Sequence, residues 1–562
     1  MLSLPTKLKN ALAHVILLCL FCMVFSPYHA LMKEKLFADD ASYLAHAFTL
    51  GLDHNLQYND SVAEWKTQNQ KAAAHPIGPG VLAAPFVTAF SKLDKAQEHS
   101  VLTKHAAFQY SWSFFGFVFG SVFFFIAGLY CYLKAAETLA FALSRKHLLF
   151  IASSFGILYY VLFRPVMGHS FEFFSIGLCF WASCKMVAHL NEPKAPYAYA
   201  FICALSLVFT LQIRPSDINV MLLPFIVFGF LWLVSESPMT KQELNKCFKM
   251  AGFGFLSLCL CFLPFLIINE QLYDMPYPSS TAMYGASTNP VPAIANFADF
   301  MNALMMLLSR IPQVFTICFS SEFGLAFSSA ILLFGTCFLL YFILANLKKR
   351  FWLSLGVLMM VGLYIALPVT ITIFWQSLGD AYGHRFLFCL FPLALLGYGF
   401  WHKQLTQKYA TFQNYPLRAK LLQAVTISLC CYSLLGNALF GLNSDLMYKP
   451  GVTNAFGREG GSAIGYNIAV LQSAPKPSTW INLAATRVPG FFAVGLLDLF
   501  SVEVTELKLP GALSEKLDKF TSDYQHPPLQ AYLQALLIGL FFVGSYIVFM
   551  RADKKAKQRH AS

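Results

Sequence analysis

The chain has 562 residues, of which 57% are hydrophobic and only 12% are charged. A soluble protein of this size could not remove so much apolar surface from water, so the composition excludes that class and predicts a polytopic α-helical membrane protein. The net charge of +12 does not indicate a nucleic-acid partner, because much of the excess lies in loops that the topology assigns to the cytoplasm. The 14 cysteines lie almost all in apolar segments, which predicts neither a disulfide framework nor a zinc site.

Twelve apolar runs approach the length of about 20 residues that a helix needs to cross a bilayer. We therefore expect an all-α fold with about 12 transmembrane helices, of which the short runs near 147–163 and 386–401 give the weakest signal. The first run follows Lys7 and Lys9, and it lacks a clear signal-peptidase motif, so we expect it to stay as a helix. The twelve runs are 11–31, 108–133, 147–163, 170–190, 197–213, 217–234, 248–268, 323–346, 351–374, 386–401, 420–441 and 529–550.

The distribution of positive charge predicts the orientation. With the N-terminus inside, more than half of the 40 lysines and arginines fall in the cytoplasmic segments, so we expect both termini in the cytoplasm. We divide the chain into a membrane core at 1–441, an extracytoplasmic loop region at 442–528, and a last transmembrane helix with a basic tail at 529–562. The core includes two further large outer loops, 33–107 and 269–322. This concentration of sequence on one side predicts binding or chemistry at the outer surface.

The first candidate site is the acidic pair Asp39 and Asp40 in FADDASYLAHAFTLG. A carboxylate at the membrane edge can act as general base for a hydroxyl acceptor, and two together can hold a divalent cation. Tyr43 and Ala47 follow at helical spacing, so the alternative is that one aspartate simply caps an interfacial helix.

The second candidate is HPIGPGVLAAPF, residues 75–86. Its prolines and glycines predict a turn before an apolar stretch that lies on the membrane or re-enters it. His75 could orient a substrate or bind a metal ion. The alternative is an ordinary interfacial histidine, which the residue taken alone favours.

Single arginines mark the short outer connections, which contain no lysine: Arg164, Arg214 and Arg385. Arginine matches a phosphate with a rigid fork, so these residues could grip the phosphate of a lipid-linked substrate. Snorkelling toward lipid headgroups explains any one of them equally well.

Acids and histidines accompany these arginines. His169 and Glu172 share one face at the outer end of a span, Glu322 opens a later span, and His384 precedes Arg385. Glu172 carries the strongest signal, because an ionisable group in an apolar run usually faces the protein interior or a wet cavity. The alternative is a structural ion pair with one of the arginines.

Taken in order, these segments resemble the C-type glycosyltransferase superfamily. The resemblance rests on Asp39-Asp40 after the first helix, HPIGPGVLAAPF, GHSFEFF, SSEFGLAFSSA and GDAYGHRFLFCLFP, and it covers roughly residues 30–400. The superfamily contains polytopic enzymes that take a sugar from a polyprenyl-phosphate carrier, including protein O-mannosyltransferases and the aminoarabinose transferases of lipid A. The segment beyond about residue 440 resembles no family that we can name.

The resemblance implies particular roles. Asp39 or Asp40 would deprotonate the acceptor hydroxyl, with Asp40 nearer the interfacial helix, and Arg385 of a Gly-x-Arg element would hold the donor phosphate. Glu322 would match an acid-before-glycine element. The partners would be a polyprenyl-phosphate sugar, a glycan, lipid or protein acceptor, and membrane lipids. No cofactor is implied beyond a divalent metal ion that the two aspartates could hold. His384 inside the Gly-x-Arg element departs from the common pattern, as does the lack of an obvious large C-terminal periplasmic domain.

The sequence therefore predicts an inverting glycosyltransferase whose active site faces the extracytoplasmic side. The short basic N-terminus and the lack of a retrieval signal favour a bacterial inner membrane. Two alternatives stay open. A glycolipid flippase or transporter would also need outer arginines, although it should carry ionisable residues near the bilayer midplane. An oligosaccharide ligase or polymerase would also use lipid-linked donors, and the loop at 442–528 could give room for a long glycan.

Overall fold

The structure, a computed structural model, describes most of the predicted membrane core and part of the last predicted span. All regular structure in this part of the chain is helical, with no β-strand. The described residues are 38–58, 72–94 without 74, 111–190 without 142 and 163, 192, 195–235, 240–276, 296–319, 324–375, 385–409, 414–442, and 533–549 without 535.

The helices of these residues follow one another in chain order. The first half contains α1 (Ala38–Gly51), α2 (Gly78–Ser91), α3 (Trp112–Thr138), α4 (Arg145–Ser153), α5 (Ile157–Leu162), α6 (His169–Ala188), α7 (Ala195–Ile213), a 3₁₀ helix (Pro215–Leu222), α8 (Leu223–Val234) and α9 (Lys241–Tyr273). The second half contains α10 (Phe297–Ser309), α11 (Pro312–Phe319), α12 (Leu325–Ser328), α13 (Ala330–Ala345), α14 (Phe351–Trp375), a 3₁₀ helix (Arg385–Leu390), α15 (Phe391–Lys408), α16 (Leu417–Leu442) and α17 (Leu536–Phe549).

Seven helical segments among the described residues are long and apolar enough to cross a membrane. Each coincides with one of the twelve predicted runs, so the prediction of an all-α integral membrane protein is confirmed. They include the short run near 386–401, which forms one continuous segment. The seven are Trp112–Thr138, His169–Ala188, Pro196–Ile213, Pro215–Val234, Lys241–Tyr273, Phe351–Ile373 and Arg385–Lys408.

The run near 147–163 is not one helix, because α4 ends at Ser153 and α5 begins only at Ile157. At this break the Ser154 hydroxyl donates to the carbonyl of Ile151 (2.8 Å), and the Gly156 amide donates to Ser329 Oγ (3.4 Å). Serine hydroxyls compete for backbone groups, and glycine disfavours a helix interior, so the local sequence explains the interruption.

The other four predicted runs differ in how much of each the structure describes and in the length of the helix that each forms. Residues 323–346 give the 16-residue helix α13, 420–441 lie within the 26-residue helix α16, and 529–550 contain α17. The run at 11–31 lies outside the described residues, as do residues 443–528 of the predicted loop.

The first outer loop folds back against the membrane core through α1 and α2. Two glycines of the HPIGPG segment make this approach possible. A methyl group on Gly78 would lie 2.5 Å from the backbone oxygen of Gln212, at the end of α7, and one on Gly80 would collide with His46 of α1. At the other end of the loop, Asp94 accepts hydrogen bonds from the backbone amides of Trp112 (2.6 Å) and Ser113 (2.9 Å), which caps α3.

Candidate functional site

Polar side chains of the described chain gather where α1, α6 and the two 3₁₀ helices begin and where α7 ends. These positions lie in the first outer loop and at the span ends that the sequence predicts to be extracytoplasmic. The hydrophobic core of the described chain includes residues of α1, α2, α3 and α6, and these helices pack against one another next to the polar groups.

The first element of the cluster is a buried ion pair. Arg164 Nη2 donates to Asp40 Oδ2 at 2.7 Å, and only 6% and 9% of the two side chains are exposed. Asp40 lies in the first turn of α1, and Arg164 lies in the bend between α5 and α6. Burial opposes the charge of Arg164, but the charge and hydrogen bond of Asp40 together with the phenols of Tyr159 and Tyr160 outweigh this effect, so the pKa of Arg164 is raised above its ordinary value.

The second element is centred on Glu172, in the first turn of α6. Glu172 Oε2 lies 2.8 Å from His169 Nδ1 and 3.0 Å from Arg214 Nη1. A carboxylate only accepts hydrogen bonds, so both nitrogens donate to this oxygen, and the imidazole then presents Nε2 as an acceptor. Only 2% of the Glu172 side chain is exposed. Glu172 therefore forms an ion pair with Arg214, as the structural alternative for this residue predicts, and its functional role stays a prediction.

Asp217 adds a third carboxyl group to the cluster. It lies at the start of the 3₁₀ helix that follows Arg214, and it interacts electrostatically with both Glu172 and Arg214. Glu172 Oε1 and Asp217 Oδ2 are buried and receive no hydrogen bond from the other residues that the structure describes. The two carboxyl groups form a hydrogen bond to each other when one of them is protonated.

Arg385 brings a third arginine into the cluster. Its backbone oxygen accepts from Arg214 Nη1 at 3.5 Å. The guanidinium groups of Arg214 and Arg385 both lie over the ring of Phe386, at 4.9 Å and 5.4 Å from its centroid. Phe386 therefore makes cation–π contact with both arginines, while Arg214 also keeps its ion pair with Glu172.

Tyr160, on α5, joins the ion pairs into one cluster. Its phenol interacts electrostatically with the three arginines and with Glu172, and its ring lies 4.2 Å from that of His169. The sequence gives little signal for this role, because Tyr160 stands in an ordinary apolar run. Three arginines therefore face three carboxyl groups in the described cluster: Arg164, Arg214, Arg385, Asp40, Glu172 and Asp217.

His75 borders the cluster through Tyr43. The two rings are 5.3 Å apart, and Tyr43 in turn interacts electrostatically with Arg214. The backbone oxygen of His75 accepts hydrogen bonds from His46 Nε2 (2.6 Å) and from the Tyr273 hydroxyl (2.8 Å). His75 is therefore held in place through its backbone oxygen, and Tyr43 links it to Arg214.

His46 fastens the first outer loop to the core, and sequence reasoning missed it. The side chain is fully buried, and its Nδ1 accepts from the hydroxyl of Tyr58 while Nε2 donates to His75. Burial lowers the pKa of His46 to about 4 and raises the pKa of Tyr58, so both groups are neutral and both ring nitrogens are satisfied. An ionisable residue in the apolar stretch AHAFTLG is the signal that could have revealed it.

The structure brings together most of the predicted site residues. Asp40, Arg164, His169, Glu172, Arg214 and Arg385 form the cluster, with His75 at its border. The backbone of Asp39 lies in α1, but its side chain is outside the described part of the structure, and so are Glu322 and His384.

The structure describes only one member of the predicted metal-binding pair, because the side chain of Asp39 lies outside the described residues. The described residues contain no group of three or more side chains able to ligate a metal ion, and Asp40 is engaged by Arg164. A cation at Asp40 would have to compete with that guanidinium, so no catalytic step is assigned to a metal ion.

Comparison of the chain with protein-family models, curated proteins and solved structures finds no match. The geometry of the charged cluster is therefore the ground on which a function can be assigned. Its features are buried ion pairs, two guanidinium groups in contact with one aromatic ring and two carboxyl groups that hydrogen-bond to each other when one is protonated.

Proposed function

We propose that the protein is a membrane glycosyltransferase, similar to the C-type superfamily, that transfers a sugar from a polyprenyl-phosphate donor to a hydroxyl acceptor at the extracytoplasmic face. The observation that carries the proposal is the buried cluster of three arginines and three carboxyl groups at one end of the helix bundle. The distribution of basic residues fits either a bacterial inner membrane or the endoplasmic reticulum, and the short basic stretch before the first predicted span favours the bacterial membrane.

The donor phosphate is assigned to Arg214 and Arg385. In the reaction the bond from the sugar C1 to the phosphate oxygen breaks, and the phosphate leaves with the bonding electrons. Guanidinium groups stabilise this developing charge through paired hydrogen bonds. Both cations contact the ring of Phe386, and Arg214 is also held by Glu172, so contacts within the protein position the two guanidinium groups before a phosphate binds.

Asp40 is assigned as the general base. It would take the proton of the acceptor hydroxyl while that oxygen attacks C1 from the side opposite the phosphate, which inverts the configuration. Arg164 acts as the positioning residue, because its 2.7 Å bond to Oδ2 fixes the carboxylate and favours its ionised form. Asp39 stays the alternative base, since it precedes Asp40 in the same helical turn.

The position of the cluster supports an enzyme over a transporter. Glu172 and Asp217 lie in the first turn of their spans, and Arg164 and Arg214 lie just outside the spans. A transporter should instead concentrate ionisable groups near the bilayer midplane.

The test is transfer of radiolabelled sugar from a panel of synthetic polyprenyl-phosphate sugars to a membrane extract by the purified protein. Asp40→Asn should lower the rate about 100-fold or more, because it removes the base. Arg385→Ala should lower the rate by a similar factor, because it removes one phosphate contact. Asp39→Asn compares the two aspartates, and Lys403→Ala, at the opposite end of the bundle, is the matched control that should retain the wild-type rate.

Two outcomes would overturn the proposal. If labelled donor binds or crosses the bilayer but is never consumed, the protein is a glycolipid carrier or flippase. If Asp40→Asn and Asp39→Asn both transfer sugar at the wild-type rate, the acidic pair is structural. Products that lengthen with successive transfers would instead indicate the ligase or polymerase.

A further inference from the structure

Two thiols meet inside the membrane-spanning part of the protein, away from the charged cluster. Cys179 on α6 and Cys203 on α7 are both buried, and their sulfur atoms are 3.5 Å apart. Cys179 follows Glu172 by seven residues, which is about 10 Å along a helix. The pair therefore belongs to the interface between two spans and not to the site already described.

The surroundings of the pair are weakly polar. Ser183 Oγ donates to the backbone oxygen of Cys179 at 2.7 Å and lies 3.7 Å from the sulfur of Cys203. Because the one hydroxyl proton of Ser183 is already donated to that carbonyl, Ser183 Oγ accepts from the Cys203 thiol. Disulfide formation begins when one of the two thiols loses its proton, because the thiolate is the reactive species.

Cys203 also lines an apolar groove. The groove has a volume of about 360 Å³ and lies between α7, α8 and α9. Apolar side chains dominate its walls, among them Leu207, Phe228 and Phe255. A charged or strongly polar oxidant would need a large desolvation energy to enter it, whereas an apolar one would not.

We propose that Cys179 and Cys203 are a redox modification site at which a lipid-soluble quinone forms an intramembrane disulfide. The two S–H bonds break, one S–S bond forms, and the two electrons and two protons pass to the quinone, which becomes a hydroquinone. The sulfurs have to approach by roughly 1.5 Å to reach the disulfide length of about 2.05 Å. The product links α6, which carries Glu172, to α7, which leads into Arg214.

The experiment uses the full-length protein in lipid nanodiscs, treated with a short-chain ubiquinone analogue. After denaturation, free thiols are alkylated and counted by intact mass. We expect two fewer alkylated thiols than in the untreated protein, a Cys179–Cys203 cross-linked peptide, and full reversal by dithiothreitol. Cys179→Ser and Cys203→Ser should each abolish the change. Cys184→Ser, a matched control because Cys184 is buried on the same helix, should leave the change intact.

The peptide map keeps the test decisive even if the serine variants fold poorly, because it is read on the wild-type protein. An unchanged thiol count with the quinone would overturn the proposal. So would a cross-link that joins Cys203 to Cys247, which lines the same groove. The assay does not depend on sugar transfer, so its failure is independent of the proposed enzymatic activity.

Discussion

At the end of the bundle where α6 begins, arginines bind buried carboxylates, whereas at the end where α6 stops, cationic side chains mainly bind backbone carbonyls. Those carbonyls lie at or near helix C-termini. The contacts are Arg145 Nη1 to Phe549 O (2.6 Å), Lys246 Nζ to Glu192 O (2.5 Å), Arg350 Nη1 to Trp232 O (2.6 Å) and Lys403 Nζ to Leu139 O (3.1 Å).

This difference separates two uses of positive charge. The last carbonyls of a helix lack partners within the helix and carry partial negative charge, so a cation there completes a structural bond and gains a modest energy. A buried arginine opposite a buried carboxylate is different, because removing one partner leaves the other ionised and poorly solvated. The charges at the α6 start are therefore costly to hold, which is typical of functional sites.

The largest loss of stability that this comparison predicts is that of Arg214→Gln. Glu172 would stay buried and keep only His169 as a neighbour of Oε2, so we expect a loss of about 3–5 kcal/mol in the free energy of unfolding. The matched control is Lys134→Gln at the other end, where the Lys134–Glu137 pair is about one-third exposed on each side. That change should cost less than about 1 kcal/mol. Chemical unfolding in detergent measures both.

A double variant tests whether the unpaired charge of Glu172 causes the loss of stability in Arg214→Gln. Replacing Arg214 and Glu172 together by methionine removes both ions, so most of the lost stability should return. If the double variant is as unstable as Arg214→Gln, packing and not the ion pair is responsible.

The second prediction concerns pH and the buried His46. Its pKa is lowered to about 4 in the folded protein, against 6.5 for an unperturbed histidine, so the neutral ring stabilises the fold fully above pH 6.5. As the pH falls from 6.5 to 4, the unfolded state takes up a proton that the folded state does not, and about 3 kcal/mol is lost. His46→Gln keeps hydrogen-bonding groups but cannot titrate in this range.

Unfolding of the wild type and of His46→Gln at a series of pH values measures this contribution, since other titrating groups are common to both. We expect the two stabilities to converge on acidification. Parallel curves between pH 6.5 and 4 would show that the pKa of His46 does not differ between the folded and unfolded states.

The third prediction compares two glycines. Gly80→Ala places a methyl group against His46, so we expect a loss of roughly 1–3 kcal/mol from overpacking. Gly252→Ala in α9 meets nothing within 4 Å, and alanine is the better helix former by up to about 1 kcal/mol. Thermal unfolding should shift down for the first variant and stay level or rise for the second. Equal shifts would contradict the close approach of α1 and α2.

The sequence was sufficient for the class of fold and for much of the cluster. Long apolar runs have few other outcomes than spanning helices, and isolated arginines at the ends of such runs have few partners except nearby acids. Glu172 shows the strength of this logic, since an acid inside an apolar run requires a compensating cation, and Arg214 supplies it.

Other features depend on tertiary packing that one sequence does not encode locally. Tyr160 lies in an apolar run like many others, and only the fold brings its phenol beside the three arginines. The contact of Cys179 with Cys203 likewise needs the register of α6 against α7. The interruption between α4 and α5 depends partly on Ser329, which is far away in the chain.

The smallest effect expected is at the end opposite the cluster, where Lys403 caps α3 by donating to the carbonyl of Leu139. Lys403→Ala should reduce the free energy of unfolding by only about 0.3–1 kcal/mol, the usual contribution of a cation at a helix C-terminus. Lys403→Arg keeps the cation, so its stability should fall between those of the wild type and Lys403→Ala. The sugar-transfer rate of both variants should equal that of the wild type, because neither change reaches the cluster. If Lys403→Ala lost several kcal/mol in the free energy of unfolding, or folded normally but transferred sugar more slowly, the contrast between the two ends of the bundle would be wrong.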